Sequence, residues 1–376
     1  MNNSPNNERL SSIDFLRGLM IVLMTIDHVR DMFHSVEIGQ YIPTDAGVFL
    51  YATRWITHLC APTFVFLAGL SVFLKEKRYN APLNEVRIFL IKRGLFFVVL
   101  EFTLISFLWN QIFPANIYSL NAQVIWAIGM SMIFLAAIKS LHPIWILLIG
   151  LLLVFGHNLL DQFHSTNSAL WNLLHVRTTM TLTESLQITS FYPLMPWFGI
   201  ISLGYVFGYF LFADSASLNK RKKIILSLAF SSLLLFVILR SYNLYGDKHL
   251  FAVGENFMVS AQSFLNVTKY PPSLLYFLIT MPFGLIILAF NQESKFTQII
   301  ASYGKAPLFY YALHLILIVV IGKIIFFLSG GVYKSEHLII SWIVAVSLVI
   351  SCYKPVLYFI AFRKNYGKRI GILSYI

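Results

Sequence analysis

The amino-acid sequence predicts an all-α, polytopic membrane helix bundle of about ten transmembrane helices, with both termini in the cytoplasm. The first observation is composition, because 58% of the 376 residues are hydrophobic, only 12% are charged, and the mean hydropathy is +0.73. Soluble domains carry about 25% charged residues. The second is a series of apolar runs of about twenty residues, the length that crosses a bilayer as a helix. The third is the unequal distribution of Lys and Arg between the connecting segments.

The apolar segments follow one another with no evident internal repeat and no appended polar domain. We therefore treat residues 1–376 as a single integral-membrane domain, with a polar N-terminus at 1–11 and a basic tail at 361–376. The predicted transmembrane segments are 14–34, 55–74, 88–112, 118–138, 143–162, 191–212, 223–241, 272–290, 306–328 and 338–360. Lipid offers no hydrogen-bond partner to the backbone, so these segments are expected to be helical.

Charge predicts the orientation of the bundle. With the N-terminus in the cytoplasm, twenty of the 28 Lys and Arg residues fall on the cytoplasmic side and eight on the other side, as cytoplasmic loops require. Topology and lipid headgroups thus explain the net charge of +12, and no nucleic-acid partner is expected. No small-residue cleavage site follows the first segment, which predicts a retained helix. A bacterial inner membrane is the expected location.

The first predicted helix, residues 12–33, carries more charge than a membrane span normally does. Asp14, Arg17, His28 and Asp31 lie on one face, because residues three or eleven apart point in nearly the same direction. A rise of about 1.5 Å per residue separates His28 from Arg17 by about 16 Å, just past the middle of a hydrocarbon core about 30 Å thick. Ionisable residues at that depth usually face the polar interior of a bundle.

His28 is the candidate base or nucleophile. A neutral imidazole is the usual general base near pH 7, and Asp31 is expected to orient the ring, as in a His–carboxylate dyad. Asp27 lies about 100° away on the helix and is expected to pair with Arg30 or with another helix. The alternative interpretation is structural, with Arg17 extending to the membrane interface and His28 bonded to a neighbouring helix.

Further polar residues occupy the second and third segments. Lys92 and Arg93 lie near the cytoplasmic end of the third segment, and Glu101 lies near its mid-depth. We expect Glu101 either to pair with Arg93 or a histidine or to contact substrate. His58 is either a hydrogen-bonded core residue or a substrate contact. Pro62 is expected to kink the second helix by leaving a carbonyl without its donor.

No metal site is expected. His157, Asp161 and His164 have a spacing that fits metal ligands, but an exposed helix end gives the same pattern. The two cysteines, Cys60 and Cys352, each lie in an apolar segment, which argues against a disulfide framework or a thiolate metal site.

Several stretches resemble one family. RGLMIVLMTIDH, from Arg17 to His28, resembles the first-helix motif of transmembrane acyltransferases. The longer pattern SIDFLRGLMIVLMTIDHVRD, followed by PTFVFLAGLS, is similar to the heparan-alpha-glucosaminide N-acetyltransferase catalytic-domain family, in particular to its bacterial members. YPLMPWFGIISLGYVFG, TKYPPSLL and KAPLFYYALHLILI, which contains His314, are similar to further stretches of those relatives, so the resemblance extends from about residue 9 to residue 320.

The resemblance implies an acetyltransferase that passes an acetyl group from cytoplasmic acetyl-CoA to a hydroxyl or amine of a sugar-type acceptor at the outer side of the membrane. It implies that His28 is the catalytic histidine, as general base or transient acetyl carrier. Arg17, Lys92 and Arg93 are then expected to bind the phosphates of coenzyme A at the cytoplasmic side. His58 stands where the family pattern aligns an aspartate, so the acceptor is not assumed to be heparan.

Two other functions fit the polar residues. A proton-coupled small-molecule transporter also uses buried His, Asp and Glu, but it releases its substrate unchanged. A structural subunit uses polar side chains to hold helices together. The basic cytoplasmic end of the first helix favours the acetyltransferase. The two long outer connections, at about 163–190 and 242–271, are predicted to be lids or substrate-facing loops. The acceptor, the acyl chain and a homo-oligomeric state stay open.

Overall fold

The computed structural model describes residues 5–35, 47–112, 118–163, 168–212, 217–290, 293–332, 334–367 and 369–374, most of which are helical. Contacts within the chain define two compact units. The first combines Met1–Cys60 with Ile286–Ile376, and the second comprises Ala61–Leu285. A single domain over residues 1–376 stays a prediction.

The helices of the described residues range from six to 29 residues in length. The α-helices are α1 (Pro5–Phe33), α2 (Val48–Thr57), α3 (Cys60–Tyr79), α4 (Leu83–Leu100), α5 (Ser106–Ile112), α6 (Val124–Ile138), α7 (Pro143–Gly156), α8 (Ala169–Leu174), α9 (Leu194–Phe212), α10 (Leu218–Ser241), α11 (Phe257–Leu265), α12 (Leu274–Phe290), α13 (Lys295–Lys305), α14 (Pro307–Leu328) and α15 (Leu338–Tyr366). A π-helical turn at Glu101–Ile105 joins α4 to α5, and a 3-10 turn at His157–Leu160 follows α7.

Helices overlap each of the ten predicted transmembrane segments. Among the described residues, six helical segments are long and apolar enough to cross a bilayer, namely Val48–Tyr79, Pro143–Leu160, Leu194–Phe212, Leu218–Ser241, Pro307–Leu328 and Leu338–Tyr366. Helices α6 and α12 are apolar but shorter. The predominantly helical fold is therefore confirmed, whereas the count of ten spans and the side of each terminus stay predictions.

Pro62 interrupts the second predicted segment. Helix α2 ends and α3 begins on either side of His58 and Leu59. Pro62 has no N–H to donate to the carbonyl of His58, four residues earlier, so the regular helical bond cannot form there. The N–H groups of His58 and Leu59 instead bond to carbonyls three residues earlier, the tighter pattern of helix ends.

A small sheet in the second unit adds to the predicted all-α fold. Its strands are β1 (Tyr118–Ala122), β2 (Thr179–Thr183) and β3 (Leu186–Ser190), in the order β1-β3-β2. Strand β3 pairs parallel with β1 and antiparallel with β2. Because β1 takes the first residues of the predicted segment 118–138, helix α6 begins only at Val124. The alternating threonines of β2 fit an extended, largely exposed strand.

In the first unit, α1 and α13 cross in backbone contact. A Cβ atom at Gly18 would lie 1.9 Å from the carbonyl oxygen of Ile300, and one at Gly304 would lie 1.8 Å from that of Asp14. Any side chain at either position would force the helices apart, so the two glycines permit this approach. The crossing brings the charged start of α1 against the last turn of α13.

The Gly304→Val variant is expected to lose about 1–3 kcal/mol of stability, because its side chain overlaps the backbone of α1. Thermal unfolding of the detergent-solubilised protein measures the loss. Gly156→Ala on α7 is the matched control, since the nearest atom to an added Cβ there is a leucine methyl at 3.7 Å. Equal unfolding temperatures for the two variants would show that α1 and α13 do not cross in this way.

Two charged side chains organise the connection after α10. The guanidinium of Arg240 donates hydrogen bonds to four backbone carbonyls, those of His249, Ser263, Phe264 and Asn266. The carboxylate of Asp247 accepts bonds from the N–H and hydroxyl of Thr268 and from the hydroxyl of Ser273. The segment predicted as a lid or substrate-facing loop is thus folded and attached to α10 and α12; its role stays a prediction.

Candidate active site

The candidate active site lies in the first unit, where α1 packs against α14. The imidazole rings of His28 on α1 and His314 on α14 stack, with centroids 5.0 Å apart and planes inclined by 12°. Nδ1 of His28 lies 2.8 Å from Nε2 of His314, a hydrogen-bond distance. Both side chains are buried. We name these two residues the histidine pair.

Hydrogen bonding fixes the tautomer of both rings. Nδ1 of His314 lies 2.9 Å from the backbone oxygen of Tyr310, which can only accept, so the proton of a neutral His314 resides on Nδ1. Its Nε2 then accepts the Nδ1–H of His28. A neutral His28 therefore carries its lone pair on Nε2, on the other side of the ring. Nε2 of His28 is the basic atom of the pair.

Aromatic side chains of α14 hold the two rings in place. Tyr311 packs edge-on against both, with its centroid 5.7 Å from that of His28 and 5.5 Å from that of His314. Tyr310 stacks on His314, and its hydroxyl oxygen lies 2.8 Å from Oγ1 of Thr25. Because Thr25 donates its single hydroxyl proton to a carbonyl of α1, the Tyr310 hydroxyl donates to Thr25. The histidine pair is thus anchored from both helices.

Charged residues flank His28 along α1 and bind to α2. Oδ1 of Asp27 lies 2.6 Å from Nη2 of Arg30 and 3.1 Å from Nη1 of Arg54. The same oxygen accepts the hydroxyl of Thr57 at 2.8 Å. Nη2 of Arg30 also lies 2.6 Å from Oδ1 of Asp31. Two guanidinium groups face two carboxylates, the balance that burial demands. We name these five residues the Asp27 cluster.

The cluster answers two predictions about α1. Pairing of Asp27 with Arg30 or with another helix is confirmed, because Asp27 binds both Arg30 and Arg54 of α2. Asp31 was expected to orient the ring of His28, but its carboxylate binds the adjacent guanidinium, the stronger partner for a carboxylate. His314 bonds the Nδ1 of His28 instead. A catalytic role for Asp31 stays a prediction.

Arg17 lies beside a cavity at the first turns of α1. Its Nη1 is 3.1 Å from Oδ1 of Asp14, one turn earlier. Asp14 lines a cavity of about 670 Å³ between α1, α13 and α15, a volume typical of small-molecule sites. The other polar residues of its lining include Ser11, Glu293, Lys295, Gln298, Ser302 and Lys305. Two cations of α13, Lys295 and Lys305, thus line this opening.

Lys92 and Arg93 lie on α4 in the second unit and point in different directions. Lys92 is exposed on the same helical face as Ile88 and Leu95. Arg93 is half-buried, with its guanidinium carbon 5.3 Å from the centroid of Phe97. Coenzyme binding by Lys92 and Arg93 stays a prediction, and the outward direction of Lys92 does not favour it.

Glu101 is fully buried at the π-helical turn after α4. Its Oε2 accepts the backbone N–H of Trp126, 2.8 Å away in the first turn of α6. Free N–H groups and the helix dipole stabilise a carboxylate at that position. This hydrogen bond gives Glu101 a structural role, one of the two expected roles. Its partner is a backbone N–H and not the expected Arg93 or histidine. Substrate contact by Glu101, and by His58 at the break between α2 and α3, stays a prediction.

The residues with metal-like spacing have protein partners. Each ring nitrogen of His157 lies 2.9 Å from a backbone carbonyl oxygen. Oδ1 of Asp161 lies 3.0 Å from Nε2 of His175. His164 lies outside the described residues. Among the residues that the structure describes, no group of three His, Cys, Asp or Glu is placed to hold a metal ion.

The chain matches one known protein family. The family described as heparan-alpha-glucosaminide N-acetyltransferase, catalytic, matches residues 9–245, more than half of the chain. The chain belongs to that family. The resemblance predicted from the Arg17 to His28 motif is therefore confirmed. Heparan-alpha-glucosaminide N-acetyltransferase domains form a membrane acetyltransferase family, and the apolar helices agree that this chain is an integral membrane protein. No curated protein matches the chain.

The match to the heparan-alpha-glucosaminide N-acetyltransferase family covers one half of the histidine pair. It includes α1 and α2, and therefore His28 and the Asp27 cluster. His314 lies beyond residue 245, 286 residues from His28 in the chain. Sequence spacing could not have joined two residues so far apart. The sequence shows His314 only as an ionisable residue within an apolar segment. Such a residue indicates a functional site but does not identify its partner.

Proposed function

We propose that the protein transfers an acetyl group from cytoplasmic acetyl-CoA to a hydroxyl or amine of a sugar-type acceptor, with Nε2 of His28 as the reacting nitrogen. The observation that carries this proposal is the hydrogen bond from Nδ1 of His28 to Nε2 of His314. It leaves the basic lone pair of His28 on Nε2, within a chain of an acetyltransferase family. The family match does not favour the transporter alternative.

In the general-base route, Nε2 of His28 removes the proton from the acceptor hydroxyl as its oxygen attacks the thioester carbonyl. The new bond joins that oxygen to the acetyl carbon, and the carbon–sulfur bond breaks. His28, now an imidazolium, returns the proton to the departing thiolate. The products are the acetylated acceptor and free coenzyme A, and His28 is neutral again. His314 supports the imidazolium by accepting its Nδ1–H throughout.

In the acetyl-carrier route, the same nitrogen attacks the thioester carbonyl first, the carbon–sulfur bond breaks, and coenzyme A leaves as the thiolate. His28 then holds the acetyl group as an acetyl-imidazolium. The acceptor attacks that group, its proton passes to the thiolate, and neutral His28 is regenerated. Both routes need the lone pair on Nε2, so the tautomer set by His314 serves either. An acid quench during turnover separates them, because the carrier route leaves labelled acetyl on the protein and the base route leaves none.

The cavity beside Arg17 is our proposed site for the nucleotide end of coenzyme A. Lys295, Lys305 and Asp14 line it. Arg17 lies one turn after Asp14 on α1 and is bonded to it. Phosphate groups need cations of this kind. Along α1, His28 is about 16 Å from Arg17, comparable to the reach of the pantetheine arm. In this proposal Arg17 binds a phosphate of coenzyme A, as predicted. The charge-reversal experiment described next also tests the predicted role of Lys92 and Arg93.

Charge reversal in the cavity is expected to raise the KM for acetyl-CoA about tenfold or more, with kcat nearly unchanged, because ground-state binding to phosphates is lost. The variant is Lys295→Glu combined with Lys305→Glu, and Lys92→Glu is measured beside it. Lys220→Glu, an exposed lysine on α10 that does not line the cavity, is the control. An unchanged KM in the double variant would remove the coenzyme from this cavity.

We further propose ten membrane-spanning segments with both termini in the cytoplasm of a bacterial inner membrane. The twenty-to-eight distribution of Lys and Arg supports this orientation. The proposed acetyl transfer also includes an additional catalytic residue, Asp31, and two acceptor contacts, His58 and Glu101. Single cysteines placed in the connecting segments, labelled from one side of intact cells, test the orientation directly.

The decisive experiment uses the purified full chain in liposomes with acetyl-CoA labelled in the acetyl group. A panel of amino sugars and sugar alcohols is offered as acceptors, and both free coenzyme A and labelled product are measured. We expect release of coenzyme A that depends on the acceptor, with one labelled ester or amide formed for each coenzyme released. If the protein moves an acceptor across the membrane unchanged and consumes no acetyl-CoA, the acetyltransferase proposal is wrong and the transporter takes its place.

A further inference from the structure

A group of cations on α3 and α4 of the second unit surrounds one aromatic ring. Nζ of Lys75 lies 3.0 Å from the centroid of Phe89, and the guanidinium carbon of Arg93 lies 5.8 Å from the same centroid. Both cations therefore lie at the same ring. Lys92 is on the same side of α4, within about 60° of Phe89. Two positive charges thus lie at one ring, and Lys92 carries a third one turn away on the same helix.

No carboxylate balances these lysines. Within the described part of the chain, the ion pairs include none with Lys75 or Lys92. The nearest acid in sequence, Glu76, is bound to Nζ of Lys139 at 3.0 Å and to the hydroxyl of Tyr205 at 3.1 Å. Two lysines that form none of these ion pairs favour binding of an anion.

The surface that continues from these cations is apolar and faces outward. Ile88, Leu95 and Val99 are 51%, 51% and 60% exposed, and with Lys92 they follow one another at helical spacing along one face of α4. A run of this kind in a membrane protein contacts acyl chains. At the other end of the patch, Tyr79 is exposed at the end of α3, where aromatic residues mark the headgroup level.

We propose that Lys75, Lys92 and Arg93 bind the phosphate of an anionic phospholipid, whose acyl chain lies along Leu95 and Val99. The charges fit the phosphate, and the apolar face fits the chain directly beneath it. A soluble anion would use the cations but not the exposed apolar face, so the lipid is the ligand that accounts for both. This site is independent of acetyl transfer and belongs to the second unit alone.

Native mass spectrometry of the full chain tests the site, with phosphatidylglycerol and phosphatidylcholine titrated separately. The wild type is expected to retain one phosphatidylglycerol in clear preference to phosphatidylcholine. Lys75→Gln combined with Lys92→Gln is expected to weaken that retention about thirtyfold, since each lysine near an anionic surface contributes about fivefold. Lys220→Gln combined with Lys223→Gln removes two exposed cations of α10 and is the matched control.

Three results would overturn the proposal. Equal retention of phosphatidylglycerol by the wild type and the Lys75, Lys92 variant would show that these cations hold no lipid phosphate. The same loss in the control variant would reduce the effect to overall charge. Release of the bound phosphatidylglycerol by free coenzyme A would assign the cations to a coenzyme phosphate. Phosphatidylglycerol binding that is specific to these lysines and insensitive to coenzyme A supports the proposal.

Discussion

Replacing His28 by alanine is expected to lower the rate of acetyl transfer by about 10²–10⁴-fold, the contribution of a positioned general base. The variant removes the ring nitrogen of His28 that carries the lone pair in the tautomer that His314 enforces. The loss should fall on kcat, while the KM for acetyl-CoA stays within about threefold, because the nucleotide end binds elsewhere. Initial rates in liposomes at saturating acetyl-CoA measure it.

His337→Ala is the control for this variant, because His337 is exposed before α15 and belongs to the same unit. Its rate should equal that of the wild type. Both variants are compared at matched unfolding temperature, so that loss of folded protein is not mistaken for loss of catalysis. A folded His28→Ala protein that keeps more than a third of the wild-type rate would place the reacting nitrogen on another residue.

Variants of His314 separate its positioning role from simple packing. His314→Phe fills the space but leaves the Nδ1–H of His28 without an acceptor, and a buried donor in that state costs about 1–3 kcal/mol. We expect kcat to fall about 10–100-fold. His314→Gln supplies an amide oxygen that can accept the same bond, and part of the rate should return. If Phe and Gln give the same rate, the hydrogen bond does not set the reactivity of His28.

Replacing Asp27 by alanine is expected to destabilise the protein by about 3–5 kcal/mol, the cost of breaking a buried ion pair from one side. Arg30, whose side chain is 1% exposed, and Arg54, at 4%, would keep their charges but lose the oxygen that both contact. Thr57 would lose its acceptor as well. Thermal unfolding and the yield of monodisperse protein after solubilisation measure the effect.

Glu336→Ala removes an exposed carboxylate of the same unit and is expected to change stability by less than about 0.5 kcal/mol. The double variant Asp27→Ala with Arg54→Ala should lose less than the sum of the two single variants, because the second change removes the charge that the first one stranded. Additive losses, or a loss below about 1 kcal/mol for Asp27→Ala, would mean that the cluster does not hold α1 to α2.

The parts of the fold that follow from local sequence could be predicted. Length and hydropathy locate helices over every apolar segment, and the missing N–H of Pro62 explains where α2 ends. The pairing of Asp27 with Arg30 is also local, because residues three apart meet on a helix. The outward direction of Lys92 also follows from local sequence, since the apolar residues Ile88 and Leu95 share its helical face.

Contacts that depend on tertiary structure could not be predicted. The partner of His28 is a histidine 286 residues away, and no spacing rule reaches that far. Asp31 follows Arg30, whose guanidinium binds its carboxylate, and helical spacing alone does not show that competition. Strand β1 directly precedes an apolar helix, and the sequence predicted one continuous helix over both. The extended form of β1 depends on its pairing with β3, which local sequence does not show.

The histidine pair also determines how many protons the site can hold. One added proton on Nε2 of His28 leaves the bond to His314 intact. A second would place an N–H of each ring face to face, so the pair stores a single proton at a time. For a hydroxyl acceptor, that proton comes from one substrate and leaves with the thiol of the other. In the proposed general-base route the cycle therefore closes within the site, and that route needs no proton path to either face of the bilayer.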